Sequence, residues 1–385
     1  MSYIKTTAEL FFNGLGFRLA RLFKTPLKPT VISLAITNRC NSHCIMCNIW
    51  NRANELNDIQ SMELSKKQIT HLLSNPLFSE LVELDITGGE PHLRDDLVET
   101  ILEIGKLKKN YLPKLRSIIV ASNGLLPQRI ISNYHDILKG LNGSGIDLIS
   151  VSSFDGIAEV HDMVRGTKGA FKLVTETIDG LSELKKSYSH FFIGIKTTIT
   201  QYNIASLNEI LDYAIEKNLF HIISPVLFTE GRFRNIGQRD KLMLRPRDYQ
   251  EVLAFYHNAN LSTSFFYSTL LNCIAGGHRQ WECSALYAYM FIDFDGKVYP
   301  CEMIPEPIGD IKKQKIEDIW YGYPAREWRK RLKRMDYCAT CNEPGAIRYS
   351  AAIEGFSYLK FLLRLGRNKY DEAFYHEGFS KYFGR

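Results

Sequence analysis

Short apolar runs recur along the first two thirds of the chain, at 31–36, 81–86, 117–121, 148–151, 192–198 and 221–227. Between them lie stretches with helical spacing, near 64–75, 94–108, 127–139, 169–186 and 204–217. Short apolar runs alternating with amphipathic helices predict β–α units built on a parallel sheet with helices outside. Six such units fit an open doubly wound sheet or a partial (β/α)6 TIM-like barrel. In either, chemistry gathers at the carboxyl ends of the strands.

The rhythm stops near residue 260. Beyond it, "MFIDFDGKVYPCE" (290–302) reads as a β-hairpin, two apolar runs around Asp295-Gly296. The expected organisation is an α/β barrel over 31–260 and a small hairpin-and-helix module over 270–345. A helical, aromatic and basic tail covers 346–385. Ahead of the barrel, within 1–30, Ile4, Ala8, Phe11, Leu15, Leu19 and Leu22 share one helical stripe with Arg18, Arg21 and Lys24 among them. Gly14 and Gly16 weaken this helix. Such a helix either lies on a membrane surface or caps the open end of the barrel.

Composition is that of a soluble globular protein, 45% hydrophobic and 23% charged. The net charge of +6 sits at the ends: residues 321–385 hold 13 Lys/Arg against 7 Asp/Glu, and residues 1–30 hold five against one. Both ends suit an anionic partner, a phosphorylated substrate or a membrane surface, or are solvated helix faces. The same choice applies to Arg326, Arg329, Lys330, Arg331, Lys333 and Arg334. No nucleic-acid partner is expected. No secretory signal and no apolar run of membrane-spanning length is present. The expected location is cytoplasmic, with peripheral membrane contact as an extension. Cytoplasmic thiols stay reduced, so clustered cysteines point to metal or catalysis.

"TNRCNSHCIMCNIW" (37–50) packs Cys40, Cys44 and Cys47 onto a loop after the first strand. A zinc site wants four protein ligands. His43 is the nearby candidate, but in so tight a loop it has difficulty facing the same metal as Cys44. A [4Fe–4S] cluster is usually held by four thiolates, so three leave one iron open.

This Cys-x3-Cys-x2-Cys loop resembles that of the radical SAM superfamily. The resemblance implies that the open iron takes the amino and carboxylate groups of S-adenosylmethionine, whose reductive cleavage yields a 5′-deoxyadenosyl radical. The barrel would shield that radical. Met46 stands where the family usually has an aromatic residue near the adenine, and it can pack an aromatic face. "DITGGEPHLRDDL" (85–97) sets Gly88, Gly89, Glu90 and Pro91 at the end of strand two, where the family binds the methionine amino group, with Glu90 the implied contact. Asn123 ends strand three. Ser152 resembles a hydroxyl near the ribose or carboxylate. Arg165 resembles a basic residue that meets the methionine carboxylate. Thr198 and Val226 are further cofactor candidates, with core or rim packing as their alternative.

Cys283, Cys301, Cys338 and Cys341 resemble the SPASM/twitch extension of the same superfamily, in its shorter form. That implies one fully protein-ligated auxiliary [4Fe–4S] cluster, zinc being the other occupant of four cysteines. Cys273 is left over, as a buried apolar thiol or a substitute ligand. Glu302, directly after Cys301, matches the position of an acidic catalytic base in some sulfatase-maturating relatives, and burial is expected to raise its pKa. The implied reaction removes a substrate hydrogen atom, then a proton, and passes an electron to the auxiliary cluster. An electron donor such as flavodoxin or ferredoxin is implied.

The substrate reads as small or lipid-linked: a sugar, an aminocyclitol or an isoprenoid lipid. The other enzymatic reading is maturation of a ribosomally made peptide by a thioether or carbon–carbon crosslink. Residues 1–30 are short for the leader-binding domain many such enzymes carry. A non-enzymatic iron–sulfur or zinc scaffold is the third reading.

Overall fold

The computed structural model of the protein describes residues 3–55, 58–259, 261–332, 335–370 and 379–383. Each apolar run forms a strand: β1 (Val31–Thr37), β2 (Glu83–Gly88), β3 (Ser117–Ser122), β4 (Asp147–Ser153), β5 (Phe191–Ile199) and β6 (Phe220–Pro225). All neighbours pair in parallel. β1 is buried at every position, as a parallel strand covered on both faces must be.

Ahead of the sheet runs α1 (Tyr3–Leu22). Around the sheet lie α2 (Lys66–Leu73), α3 (Leu97–Leu107), α4 (Pro127–Leu141), α5 (Glu159–Arg165), α6 (Ala170–Ser187) and α7 (Leu207–Glu216). Their apolar stripes face the strands: Leu97, Ile101 and Ile104 of α3 are fully buried. Ser65 and Gln68 close a capping box that fixes where α2 begins.

The barrel does not close. Strand order among the described residues is β6-β5-β4-β3-β2-β1-β7-β8-β9. The free edge of β6 is covered by α8 (Pro246–Asn258) and α9 (Phe265–Ile274). Tyr256 Oη donates to Ile223 O at 2.8 Å, and Ile223 N donates to Tyr267 Oη at 3.1 Å, so both backbone groups of the edge residue are satisfied. At the other edge, β7 (Tyr289–Ile292) pairs parallel with β1. β8 (Lys297–Tyr299) and β9 (Gly309–Asp310) follow antiparallel. The hairpin expected at 290–302 therefore extends the barrel's own sheet, turning at Gly296, whose φ is +89°.

The chain continues through α10 (Tyr323–Arg331), α11 (Pro344–Glu354) and α12 (Phe356–Leu365). Helix α1 packs on α11 and α12. Its buried face is Leu10, Gly14, Phe17 and Ala20. A Cβ on Gly14 would stand 2.6 Å from the Phe356 ring, so this glycine, read in the sequence as a weakness, permits the close approach. The stripe of Ile4, Ala8, Phe11, Leu15, Leu19 and Leu22 faces outward. In the tail, Lys381 pairs with the fully buried Glu83 at the start of β2, and Tyr382 Oη donates to Glu83 at 2.9 Å. Lys333, Arg334 and residues 371–378 lie outside the described residues. No helix among those described is long and apolar enough to cross a membrane.

Candidate active site

The cysteine loop leaves β1 and is clamped by the end of α5. His43 N donates to Arg165 O at 3.2 Å, Ile45 N to Val164 O at 3.0 Å and Ser42 Oγ to Arg165 O at 2.9 Å. Glycines set how closely these segments meet. Gly88 has φ +147°, and a Cβ there would lie 2.2 Å from Thr37 O; on Gly89 it would lie 2.1 Å from Arg39 O. Only residues without a Cβ let the end of β2 press against the chain entering the loop.

Cys40, Cys44 and Cys47 line one cavity of about 220 Å³ at the carboxyl ends of the strands. Burial, then the charge of Cys44, pushes the Cys40 thiol up to about 12 and Cys47 to about 11. Three thiolates in a dry corner repel one another, and an iron–sulfur core carrying positive charge would relieve that repulsion. His43 instead meets Trp50 edge-on, ring centroids 4.8 Å apart. Beside the thiols, Arg165 Nη1 donates to Asp155 Oδ2 at 3.0 Å, while its buried Nε has no hydrogen-bond partner among the described residues. Burial pulls the Arg165 pKa down, but the charges of Cys44, Asp155 and Cys40 outweigh it. An unpartnered buried guanidinium nitrogen fits the carboxylate of S-adenosylmethionine. Asn123 Nδ2 donates to Asn41 Oδ1 at 2.7 Å and stands 3.8 Å from Cys40 Sγ.

Met46, Gly88, Gly89, Thr198, Val226 and Glu302 also line this cavity. Glu90, Pro91 and Ser152 do not. The Glu90 carboxylate is held behind the wall, accepting from Asn123 N at 2.6 Å, Ser122 Oγ at 3.1 Å and His92 N at 3.1 Å. Burial raises its pKa to about 7 against these hydrogen bonds. Pro91 opens the short 3-10 helix Pro91–Leu93 that Glu90 caps. For Ser152, strand alternation decides. Val151 and Ser153 of β4 face the cavity, so Ser152 turns to the helix side, fully buried and with no hydrogen-bond partner for Oγ among the described residues.

On the far wall, Glu302 accepts from Ser33 Oγ at 2.7 Å and pairs with Arg232. The expected rise in its pKa is reversed. Burial pushes it up, but the Arg232 charge and the Ser33 hydrogen bond hold it below the usual carboxylate range. Lys196, Asp85, Arg348 and Glu343 complete this charged lining. Tyr349 Oη donates to Asp85. Glu343 caps α11, accepting from Gly345 N at 2.9 Å, and burial together with Glu302 raises its pKa.

Behind Glu302 and Glu343 lie the other thiols. Burial, then the charges of Cys283, Cys341 and Cys338, raises the Cys301 pKa well above its ordinary value. Cys338 is pushed to about 11 by burial and Cys283. Cys283 thus raises both Cys301 and Cys338, which puts these thiols in one neighbourhood, as ligands of a shared second cluster would be. Cys273 stands at the margin, its Sγ 4.0 Å from Cys341 O.

The radical SAM superfamily profile matches residues 34–213, and the iron–sulfur cluster-binding SPASM domain matches 283–342, which spans all four of these cysteines. The chain belongs to the radical SAM superfamily. This radical SAM enzyme is 25% identical over 313 residues to the AdoMet-dependent heme synthase of Methanosarcina barkeri (strain Fusaro / DSM 804), over 76% of this chain and 82% of the relative. It is 24% identical over 308 residues to the sporulation killing factor maturation protein SkfB of Bacillus subtilis (strain 168), over 77% of this chain and 66% of the relative. Its fold is similar to the solved structure "Native anSMEcpe with bound AdoMet", with a TM-score of 0.55 and 16% identity over 90% of this chain and 99% of the other. A [4Fe–4S] cluster, S-adenosylmethionine and auxiliary iron–sulfur ligation accompany the family and its second domain.

Sequence reasoning missed Asp85, Lys196, Arg232, Glu343, Arg348 and Ser153. Two left a signal. Lys196 is a lone charge within the apolar strand "FFIGIKTTI", and Asp85 interrupts "ELDITG". A charge on a buried strand must face a polar cavity or a partner.

Proposed function

We propose that this radical SAM enzyme oxidises a polar substrate, small or lipid-linked, held between the two cysteine sets. A sugar, an aminocyclitol or the head of an isoprenoid lipid has the required chemistry. One observation carries this reading: the wall facing Cys40, Cys44 and Cys47 is lined by Lys196, Arg232, Arg348, Asp85, Glu302 and Glu343. Charges of both signs in a buried cavity bind hydroxyls, amines and phosphates, and they penalise an apolar ligand.

When bound, the first cluster with S-adenosylmethionine would supply the radical chemistry for hydrogen-atom removal, and the auxiliary cluster would supply an electron acceptor. The chain's residues do the rest. Cys40, Cys44 and Cys47 hold the first cluster; Cys283, Cys301, Cys338 and Cys341 hold the second. Arg165 and Asn123 receive the polar end of S-adenosylmethionine. Met46 and Val226 pack its apolar surface, Gly88 and Gly89 admit it, and Thr198 and Ser153 border it. Glu90 is a positioning residue, fixing Ser122 and Asn123. Glu302 faces the substrate as a carboxylate and takes its proton once the substrate displaces Arg232. A carrier such as flavodoxin or ferredoxin supplies the reducing electron.

The second reading, peptide maturation, is favoured by the similarity to SkfB. Reconstituted, reduced enzyme should carry about two cubane clusters per chain and release 5′-deoxyadenosine from S-adenosylmethionine. Small-molecule, lipid and peptide fractions of a cell extract are then compared for stimulating that release. Stimulation by the peptide fraction alone overturns the proposal in favour of the second reading. With a stimulating fraction in hand, Glu302→Gln should abolish product while sparing S-adenosylmethionine cleavage.

A further inference from the structure

Helix α1 has two apolar faces, and the described residues cover only one of them. Leu10, Phe17 and Ala20 pack inward. On the opposite side, Ile4 is 72% exposed, Phe12 67% and Leu22 71%, with Phe11, Leu15 and Leu19 between them. Phe23 continues the ridge at 68%. Single exposed apolar residues are ordinary, but a ridge along a whole helix marks an interaction surface.

Beside the ridge opens a cleft of about 760 Å³. It joins the two basic ends of the chain: Arg18 and Arg21 from α1 and Lys24 just past its end face Arg326 and Lys330 from α10. Arg21 pairs with Glu282 and Lys330 with Glu327. Arg18, Lys24 and Arg326 have no ion pair among the described residues, and Arg18 lies over the Phe356 ring at 4.4 Å.

We propose that α1 docks the enzyme on an anionic phospholipid surface, its ridge in the acyl boundary and its cleft on lipid phosphates. Aromatic and aliphatic groups flanked by unpaired cations match the order of polarity across a lipid interface. A second copy is the poorer occupant, because a two-fold dimer through this face would bring the same cations together. The inference does not depend on which substrate the cavity takes.

The test floats holoenzyme with phosphatidylcholine vesicles, with and without phosphatidylglycerol. Binding is expected only with phosphatidylglycerol, weakening as salt rises. The double variant Phe12→Asp/Leu19→Asp should lose binding, and Lys24→Glu/Arg326→Glu should weaken it about tenfold or more, at about 1 kcal/mol per basic residue near the surface. All four positions are exposed, so iron content and S-adenosylmethionine cleavage should be unchanged in both variants. The inference is overturned if the wild type stays with the unbound fraction or binds pure phosphatidylcholine equally. It is also overturned if light scattering shows a lipid-free dimer that Phe12→Asp/Leu19→Asp dissolves.

Discussion

Gly89 shows how little room the cysteine loop has. A methyl group there meets the Arg39 carbonyl at 2.1 Å, a distance no Cβ tolerates. Gly89→Ala should displace the residue next to Cys40 and destabilise the protein by roughly 2–3 kcal/mol. Iron content should fall by about half, because the second cysteine set is remote from the change. Full iron content would show that the contact relaxes. Asp155 is the matching case in polar chemistry. It accepts from Thr198 N at 2.7 Å and from Arg165 at 3.0 Å. Asp155→Ala would leave the Arg165 charge buried without its partner, at about 3–5 kcal/mol, which a shift in urea midpoint measures. The cysteines and glycines were legible in the sequence because their spacing and backbone freedom are local properties. Ser152 was assigned one position from the residue that faces the cavity. Strand phase follows from pairing with β3 and β5, and a short apolar run alone does not carry it.

At the scale of elements, two histidines tie secondary structure to pH. His92 lies in the short helix after β2, and His161 lies in α5. Both are fully buried. Burial lowers each to about 3, helped by Arg129 at His92 and by Arg165 at His161. Both are therefore neutral in the fold. Below an unfolded value near 6.5, the unfolded chain takes up protons that the fold refuses, so stability falls as pH drops from there toward 3. At about pH 5 the loss is about 2 kcal/mol for each histidine. Urea midpoints at about pH 7 and about pH 5 measure it. His161→Asn, whose side-chain oxygen can still accept from Asp155 N, should reduce the wild-type difference between the two pH values by that histidine's own share, about 2 kcal/mol. The six strands and their helices were legible because their periods differ and repeat. Helix α1 was legible as a helix but not in its orientation. With apolar residues on two faces, periodicity cannot say which one the protein covers, and contacts such as those of Gly14 with Phe356 and Phe17 with Tyr287 decide it.

At the scale of the whole molecule, the tail closes onto the start of the barrel. Glu83 is fully buried at the first position of β2. Burial pushes its pKa up, but Lys381, Arg348 and the hydrogen bond from Tyr382 bring it below the ordinary range. Arg348 stands 3.5 Å from Glu83, so most of the close partners come from Lys381 and Tyr382. The sequence places these residues in a basic tail, and such tails are usually solvated. Here one of its lysines enters the protein, because a carboxylate buried on a strand needs a cation and the neighbouring strands supply none. Deleting residues 379–385 should therefore act as the loss of a buried pair, destabilising by about 3–5 kcal/mol. Adding Glu83→Gln to the deletion should recover part of that loss, since the stranded charge is removed. Recovery separates an electrostatic latch from simple packing of Phe383, for which Glu83→Gln would make no difference. Urea midpoints of the deletion, Glu83→Gln and the combination form the cycle that decides it.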